Sequence, residues 1–243
     1  MAPRHWCVAC RVGRGPDVPR VVVDVDSQFD FVDPAGALYV PGPGVRDAIA
    51  TILSEAQASG DTIVGSVDSH AWDAWEFADQ GGPFASHCVK GQSGWLRVVA
   101  AVPSRTRFVP MQRLVDGGVA NLVGEAVQGQ GTRLQSADDL VAEARSGVGI
   151  YFEKEVYSLF SNPTAELFLA ALVASLGGRE AVEFDVIGYC TGGYCVDAAA
   201  IGLVQRGYSV RVIGAATAAI GGSEGAAQSR STLEAQGVRW LDA

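Results

Sequence analysis

Short, almost uninterrupted apolar runs rich in Val and Ile alternate along this chain with longer stretches whose apolar positions recur at helical spacing. RVVVDVD (20–26), DTIVGSVDSH (61–70), VGIYFEK (148–154), FDVIGYC (184–190) and YSVRVIGA (208–215) have the length and composition of strands. Between several of them lie amphipathic segments such as GVRDAIATILSEAQASG (44–60). Strands separated by helix-length segments build βαβ units, and such units give a parallel sheet covered on both faces. The pattern therefore predicts an α/β fold: a doubly wound, mostly parallel sheet with helices on both faces.

Helix ends are legible as well. Asn162 can cap TAELFLAALVASLGG (164–178), Pro163 fits its first turn, where a missing N–H costs nothing, and Gly177 can close it. A further helix is predicted from near Cys195 to Gly207. Residues 1–18 carry Pro, Gly and Arg without periodicity and read as a flexible N-terminal extension. Residues 19–243 read as a single domain, an ordinary size for one α/β unit. The stretch 97–147 is long between strong strands and predicts a helix or two of its own, because structureless connections of that length are uncommon.

Composition narrows the function. Lys and Arg number 18 against 27 Asp and Glu, and the net charge of -9 repels a phosphate backbone, which argues against nucleic acid as a partner. No apolar run approaches the ~20 residues of a membrane span, and the N-terminus lacks a signal peptide's apolar centre. A cytoplasmic protein without a membrane partner is expected. Five cysteines, an odd number scattered along the chain, point to reduced thiols rather than a disulfide framework. Cys7 and Cys10 form a Cys-x-x-Cys pair in HWCVAC, but no second pair follows at zinc-finger spacing, and the segment reads as a solvated tail.

In an open parallel sheet, ligands bind beyond the carboxyl ends of the strands, so the polar residues just past each apolar run are the ones that can do chemistry. The first run delivers Asp24, Asp26 and Asp30, the second Asp68 and His70, the third Lys154, and the fourth Cys190 and Cys195. On chemistry alone either Asp24 or Asp26 could be a base, and either cysteine a nucleophile. Asp68 and His70 stand two apart on one face of an extended segment, and His87 follows a Gly-Pro loop that can fold back. An Asp and two His suit Zn²⁺ or Fe²⁺ with positions left for water or substrate. Glu76 and Asp79 could add a ligand or hold coordinated water, but they read first as solvated loop acids, and Cys88 as a buried, inert thiol.

From about Val21 to Ile220 these residues resemble the nicotinamidases within the isochorismatase-like cysteine hydrolases. DSQFDFVDPAGALYVPG resembles the family's first motif and puts the catalytic aspartate on Asp26, leaving Asp24 as a structural acceptor and Asp30 as a loop brace. DSH and HCVKGQSG resemble its metal motif, with Asp68, His70 and His87 as ligands and Mn²⁺ as a further candidate ion. FEKEVYSLF carries the catalytic lysine on Lys154, and GYCTGGYCVDAAAIGLVQRG carries the nucleophile on Cys195. The last motif departs by one residue: GGY separates Thr191 from Cys195 where the family usually has two residues.

The resemblance implies a metal-dependent cysteine amidohydrolase that converts nicotinamide, or a related heteroaromatic carboxamide, to the acid and ammonia through a thioester, in NAD recycling. Asp26 would move the proton and Lys154 would stabilise the ion pair. The backbone N–H groups of Cys190 and Cys195 would hold the oxyanion, and Phe31, Phe84 and Tyr157 would contact the ring, although core packing suits each of these aromatics equally. A small-molecule amide and further copies of the chain, in a homo-oligomer, are the implied partners. The same triad acting on another small amide, or a degenerate binding module of the same fold, are the competing readings.

Overall fold

The computed structural model describes residues 18–98, 103–111, 114–115, 118–119 and 136–242. The N-terminal extension up to residue 17, with Cys7 and Cys10, and much of the 97–147 stretch lie outside the described residues. In chain order the elements are β1 (Arg20–Val25), α1 (Phe29–Val32), α2 (Val45–Ser59), β2 (Thr62–Asp68), β3 (Thr106–Val109), β4 (Leu114–Val115), β5 (Gly118–Val119), α3 (Ala137–Arg145), β6 (Gly149–Lys154), α4 (Pro163–Ser175), β7 (Glu183–Thr191), α5 (Cys195–Gln205), β8 (Ser209–Ala219), α6 (Gly222–Ala235) and β9 (Arg239–Leu241).

Seven strands form one sheet in the order β3-β6-β2-β1-β7-β8-β9, and every neighbouring pair is parallel. A separate antiparallel pair joins β4 and β5. The sheet grows away from β1 in both directions, through β2 and β6 on one side and β7 and β8 on the other. Such a reversal opens a crevice at the carboxyl ends of the central strands. Asp26 follows β1 directly, Asp68 and Lys154 end β2 and β6 in register with each other, and Cys195 opens the helix after β7.

Side chains alternate across a strand, so a sheet covered twice needs apolar residues at odd and even positions alike. Val21, Val23, Val25, Ile150 and Phe152 pack on one face with Phe168 and Leu172 of α4 and Ala199 and Leu203 of α5. Val22, Ile63, Val67 and Ile187 pack on the other with Ile49 and Leu53 of α2. Full burial of such side chains contributes roughly 1.5–3 kcal/mol each. This core holds the strand ends rigid.

Asn162 accepts the Thr164 N–H at 3.1 Å as the expected cap, and its amide also donates to the carbonyls of Val109 and Glu153, tying α4 to β3 and β6. Gly177 follows α4 with φ +107°, and α5 ends shortly before Gly207. Within 97–147 the described residues contain one helix, α3, opened by a Ser136–Asp139 capping box. They also contain β3, which the apolar pattern does not announce. TRFV is four residues long and lies on the sheet edge, where only one of its residues is buried, so the burial that produces a long apolar run is missing.

Candidate active site and metal centre

Lys154 is fully buried at the end of β6, and its ammonium is surrounded by groups from three other segments. Its Nζ lies 2.8 Å from Asp26 Oδ2, 3.0 Å from Asp68 Oδ1 and 3.4 Å from Cys195 Sγ. Asp26 leaves the strand with φ +49°, its N–H bonds the Ser66 carbonyl, and its Oδ1 accepts the Ser66 hydroxyl at 2.7 Å. Gln28 grips the backbone of Asp68 on both sides, donating to its carbonyl at 2.8 Å and accepting its N–H at 2.7 Å. Asp26, Lys154 and Cys195 are thus brought together, with Asp68 linking them to the histidines.

The charges follow from burial and pairing. Burial alone would discharge Lys154, but Asp26 and Asp68 outweigh it and hold its pKa well above the ordinary value. Asp68 is held well below the usual carboxylate range: burial opposes this, and Lys154 and both imidazoles prevail. Burial raises Asp26, against the opposing pull of Lys154. Burial pushes the Cys195 thiol well up, and the attraction of Lys154 for a thiolate does not cancel it. The resting site therefore contains a thiol, with a lysine ammonium beside it and carboxylates within that cation's reach.

Beside this group, Asp68, His70, Glu76 and His87 point donor atoms at one another, all within 4.8 Å. His70 Nε2 is 3.0 Å from both Asp68 Oδ2 and Glu76 Oε1, and His87 Nε2 is 3.6 Å and 3.3 Å from the same two atoms. The other ring nitrogen of His87 bonds the Ala85 carbonyl at 2.7 Å, which leaves Nε2 as the ligating atom of the neutral ring. Burial disfavours charge on both imidazoles, but hydrogen bonding to Asp68 and Glu76 raises each to about 9. Without metal, two protonated imidazoles and the Lys154 ammonium balance the carboxylates of Asp26, Asp68 and Glu76; as neutral ligands the rings give up those two charges, which a dication replaces. Glu76 Oε2 is also buried with no hydrogen-bond partner among the described residues. Two imidazoles and two carboxylates suit Zn²⁺, Fe²⁺ or Mn²⁺.

Glu76 corrects the reading of a solvated loop acid. It is 2% exposed because Phe77 beside it is fully buried and the Gly81–Gly82–Pro83 turn folds Phe84 back to bond the Glu76 carbonyl. The recoverable signal was two phenylalanines flanking a Gly-Gly-Pro turn. Asp79 is exposed, as read.

The three candidate ring contacts divide. Phe31 is buried in the core cluster around α2 while its ring meets His87 edge-on, with centroids 5.5 Å apart. Phe84 lies 6.0 Å from His87 and 6.1 Å from Tyr194, and Tyr157 lies 5.4 Å from Tyr194. Tyr194, immediately before Cys195, was missed by reading only the apolar runs and their ends, yet it joins the two half-buried aromatics. Asp24 stays apart from Lys154: it accepts from the Ser27 hydroxyl at 2.5 Å and the Tyr151 hydroxyl at 3.0 Å and pairs with buried Arg97. Asp30 accepts the N–H groups of Ala37 and Cys88, which is the work of a brace. Cys88 and Cys190 are buried free thiols, both raised well above the ordinary value by burial, and the Tyr189–Cys190 peptide is cis.

No protein-family model matches the chain, and no curated protein matches it by sequence. Solved structures do match by fold. A zinc complex of the pyrazinamidase of Pyrococcus horikoshii aligns at TM-score 0.63 and 22% identity, covering 92% of this chain and 99% of that one. A nicotinamidase/pyrazinamidase from Bacillus subtilis aligns at TM-score 0.62 and 20% identity over 92% of this chain and 100% of its own. An N-carbamoylsarcosine amidase from Thermoplasma acidophilum aligns at TM-score 0.57 and 19% identity over 92% and 95%. At these identities the likeness establishes the fold alone, the parallel α/β architecture that this chain shares with those structures.

Proposed function

We propose that this protein is a metal-dependent cysteine amidohydrolase whose substrate is a small heteroaromatic carboxamide, with nicotinamide the first candidate. The observation that carries this reading is the single buried ammonium of Lys154, placed within 3.4 Å of a thiol and two carboxylates, one of which belongs to the four-donor cluster. A purely structural role would not require a buried thiol, cation and metal-type ligand set to converge at the sheet's switch point.

In this reading Asp26 takes the Cys195 proton as sulfur attacks the amide carbon and the carbonyl electron pair moves onto oxygen. Lys154 balances the negative charge that builds on sulfur as its proton leaves and that passes to the carbonyl oxygen as the S–C bond forms. The N–H groups of Cys190 and Cys195 receive the oxyanion. When the oxyanion collapses, Asp26 returns its proton to the departing nitrogen, releasing ammonia and leaving a thioester. Asp26 then removes a proton from water as it attacks, and the thiolate leaves and is reprotonated. A divalent ion, held by Asp68, His70, His87 and Glu76, would supply a Lewis acid able to take the lone pair of a ring nitrogen. Phe84, Tyr157 and Tyr194 would flank the ring.

Ammonia release from nicotinamide tests the proposal, with purified protein of measured metal content compared before and after chelator treatment. Release is expected from the loaded protein, with loss on chelation and recovery on returning Zn²⁺, Fe²⁺ or Mn²⁺. No release from any loaded form would refute nicotinamide as substrate. A second reading, hydrolysis of a non-aromatic amide, draws on the fold shared with an N-carbamoylsarcosine amidase, and turnover across an amide panel separates the two.

The fourth ligand is testable without turnover. Glu76→Ala is expected to weaken metal binding by about tenfold or more in competition with a chromophoric chelator. Unchanged affinity would remove Glu76 from the ligand set.

A further inference from the structure

The turn that presents Cys195 is unusual in its backbone and in what holds it. Gly192 and Gly193 are consecutive residues in the left-handed region, at φ +96° and +93°, and a Cβ on Gly192 would come within 2.6 Å of the Ile220 carbonyl oxygen. Tyr194, the N-cap of α5, makes no side-chain cap hydrogen bond. The acid in the first turn, Asp197, instead reaches back beyond the cap. Its Oδ2 accepts the Gly193 N–H at 2.7 Å and the Ser229 hydroxyl at 2.5 Å, and Ser229 Oγ in turn accepts the Gly192 N–H at 2.5 Å. Both side chains are buried, at 4% and 1% exposure, and Ser229 comes from α6.

In an ordinary capping box the acid at the third helical position bonds the N–H of the cap residue. Here the acid bonds one residue earlier, and a serine from another helix bonds the residue before that. The first N–H groups of a helix have no intrahelical acceptor, so the Cys195 N–H remains available to a ligand while both glycine N–H groups are occupied. Three residues stand between Thr191 and Cys195, and this pair of side chains fastens two of them.

We propose that Asp197 and Ser229 are positioning residues that clamp the Gly192–Gly193 turn and thereby hold the Cys195 N–H where the acyl oxyanion develops. The inference rests on the amidohydrolase reading and adds to it the means by which a longer turn keeps its oxyanion donor in place. Neither residue touches the substrate; both act through the backbone. A donor displaced by about 1 Å costs on the order of a hundredfold in rate. Alkylation of a thiol by iodoacetamide develops no oxyanion on a carbonyl and does not depend on that donor.

The test compares wild type, Asp197→Ala, Ser229→Ala and Asp197→Asn as full chains loaded with metal. Amide turnover, metal content and the rate of Cys195 alkylation by iodoacetamide are measured on each. Both alanine variants are expected to lose roughly 10- to 100-fold in kcat, with KM, metal content and alkylation rate unchanged within about twofold. Asp197→Asn keeps an acceptor oxygen for both donors and is expected to recover most of kcat. Unchanged kcat in Asp197→Ala overturns the clamp. A parallel fall in kcat, alkylation and metal content also overturns it, because that pattern marks general collapse of the site. Absence of turnover of nicotinamide and of every other amide in the panel by metal-loaded wild type refutes the amidohydrolase reading itself and takes the clamp's purpose with it.

Discussion

Replacing Cys195 by Ala is expected to lower amide turnover by roughly ten-thousand-fold or more while leaving the metal in place. The sulfur is the nucleophile in the proposed reaction, so its loss removes the covalent route altogether. Cys190 is no substitute: it lies in β7, buried, and Lys154 donates to Cys195 at 3.4 Å. The metal donors are untouched, because Asp68, His70, Glu76 and His87 include no sulfur. Lys154 also keeps both carboxylate partners, so the variant should fold normally. Metal analysis, thermal melting and ammonia release on the same sample check the three statements together. Turnover above a few hundredths of wild type would show that Cys195 is not the nucleophile.

Lys154→Met is expected to abolish activity and also to destabilise the fold, by about 3–5 kcal/mol at neutral pH in metal-free protein. Methionine matches the stem of lysine but leaves Asp26 and Asp68 buried without their shared cation. The pH dependence has a definite sign. In the wild type, Asp68 has a folded pKa below its ordinary value, so its contribution to stability is present above the unfolded pKa and is lost only as pH falls through the folded one. Without Lys154, burial and mutual repulsion would raise the folded pKa values of the two carboxylates, Asp26 more than Asp68, because both imidazoles still pair with Asp68. The variant would then be penalised above those values and relieved as they take up protons. The stability gap between wild type and variant should therefore narrow on acidification from pH about 7.5 to about 5. Urea unfolding of both proteins at several pH values measures it. A gap that is small at neutral pH, or that widens in acid, would contradict the charged state assigned to this cluster.

These two variants also separate chemistry from architecture. Cys195 sits at the start of a helix and contributes a reacting atom, whereas Lys154 contributes the charge that makes it tolerable to bury two carboxylates. Loss of the first should be silent in a melting curve. Loss of the second should not.

Apolar runs with strand length, separated by helical segments, were enough to determine a parallel α/β sheet, since a strand buried on both faces has nowhere to place polar residues. That architecture in turn aligned the carboxyl ends of β1, β2 and β6, which is why Asp26, Asp68 and Lys154 could be collected from the chain before any distance was known. Local capping chemistry likewise determined the start of α4 at Asn162. Choosing between neighbours required the tertiary structure or a motif likeness. Asp24 and Asp26 are two apart and chemically alike, but the backbone turn at Asp26 takes one to Lys154 while Asp24 remains with Arg97 and Tyr151. Glu76 looked like a loop acid because its burial depends on Phe77 and Phe84 folding together around a turn. The link between Asp197 and Ser229 joins residues 32 positions apart on two helices, and no local periodicity encodes it. Hydrophobic pattern and caps are written in consecutive residues, whereas burial of a charge and the partner of a hydrogen bond are decided by segments that meet only when the chain has folded.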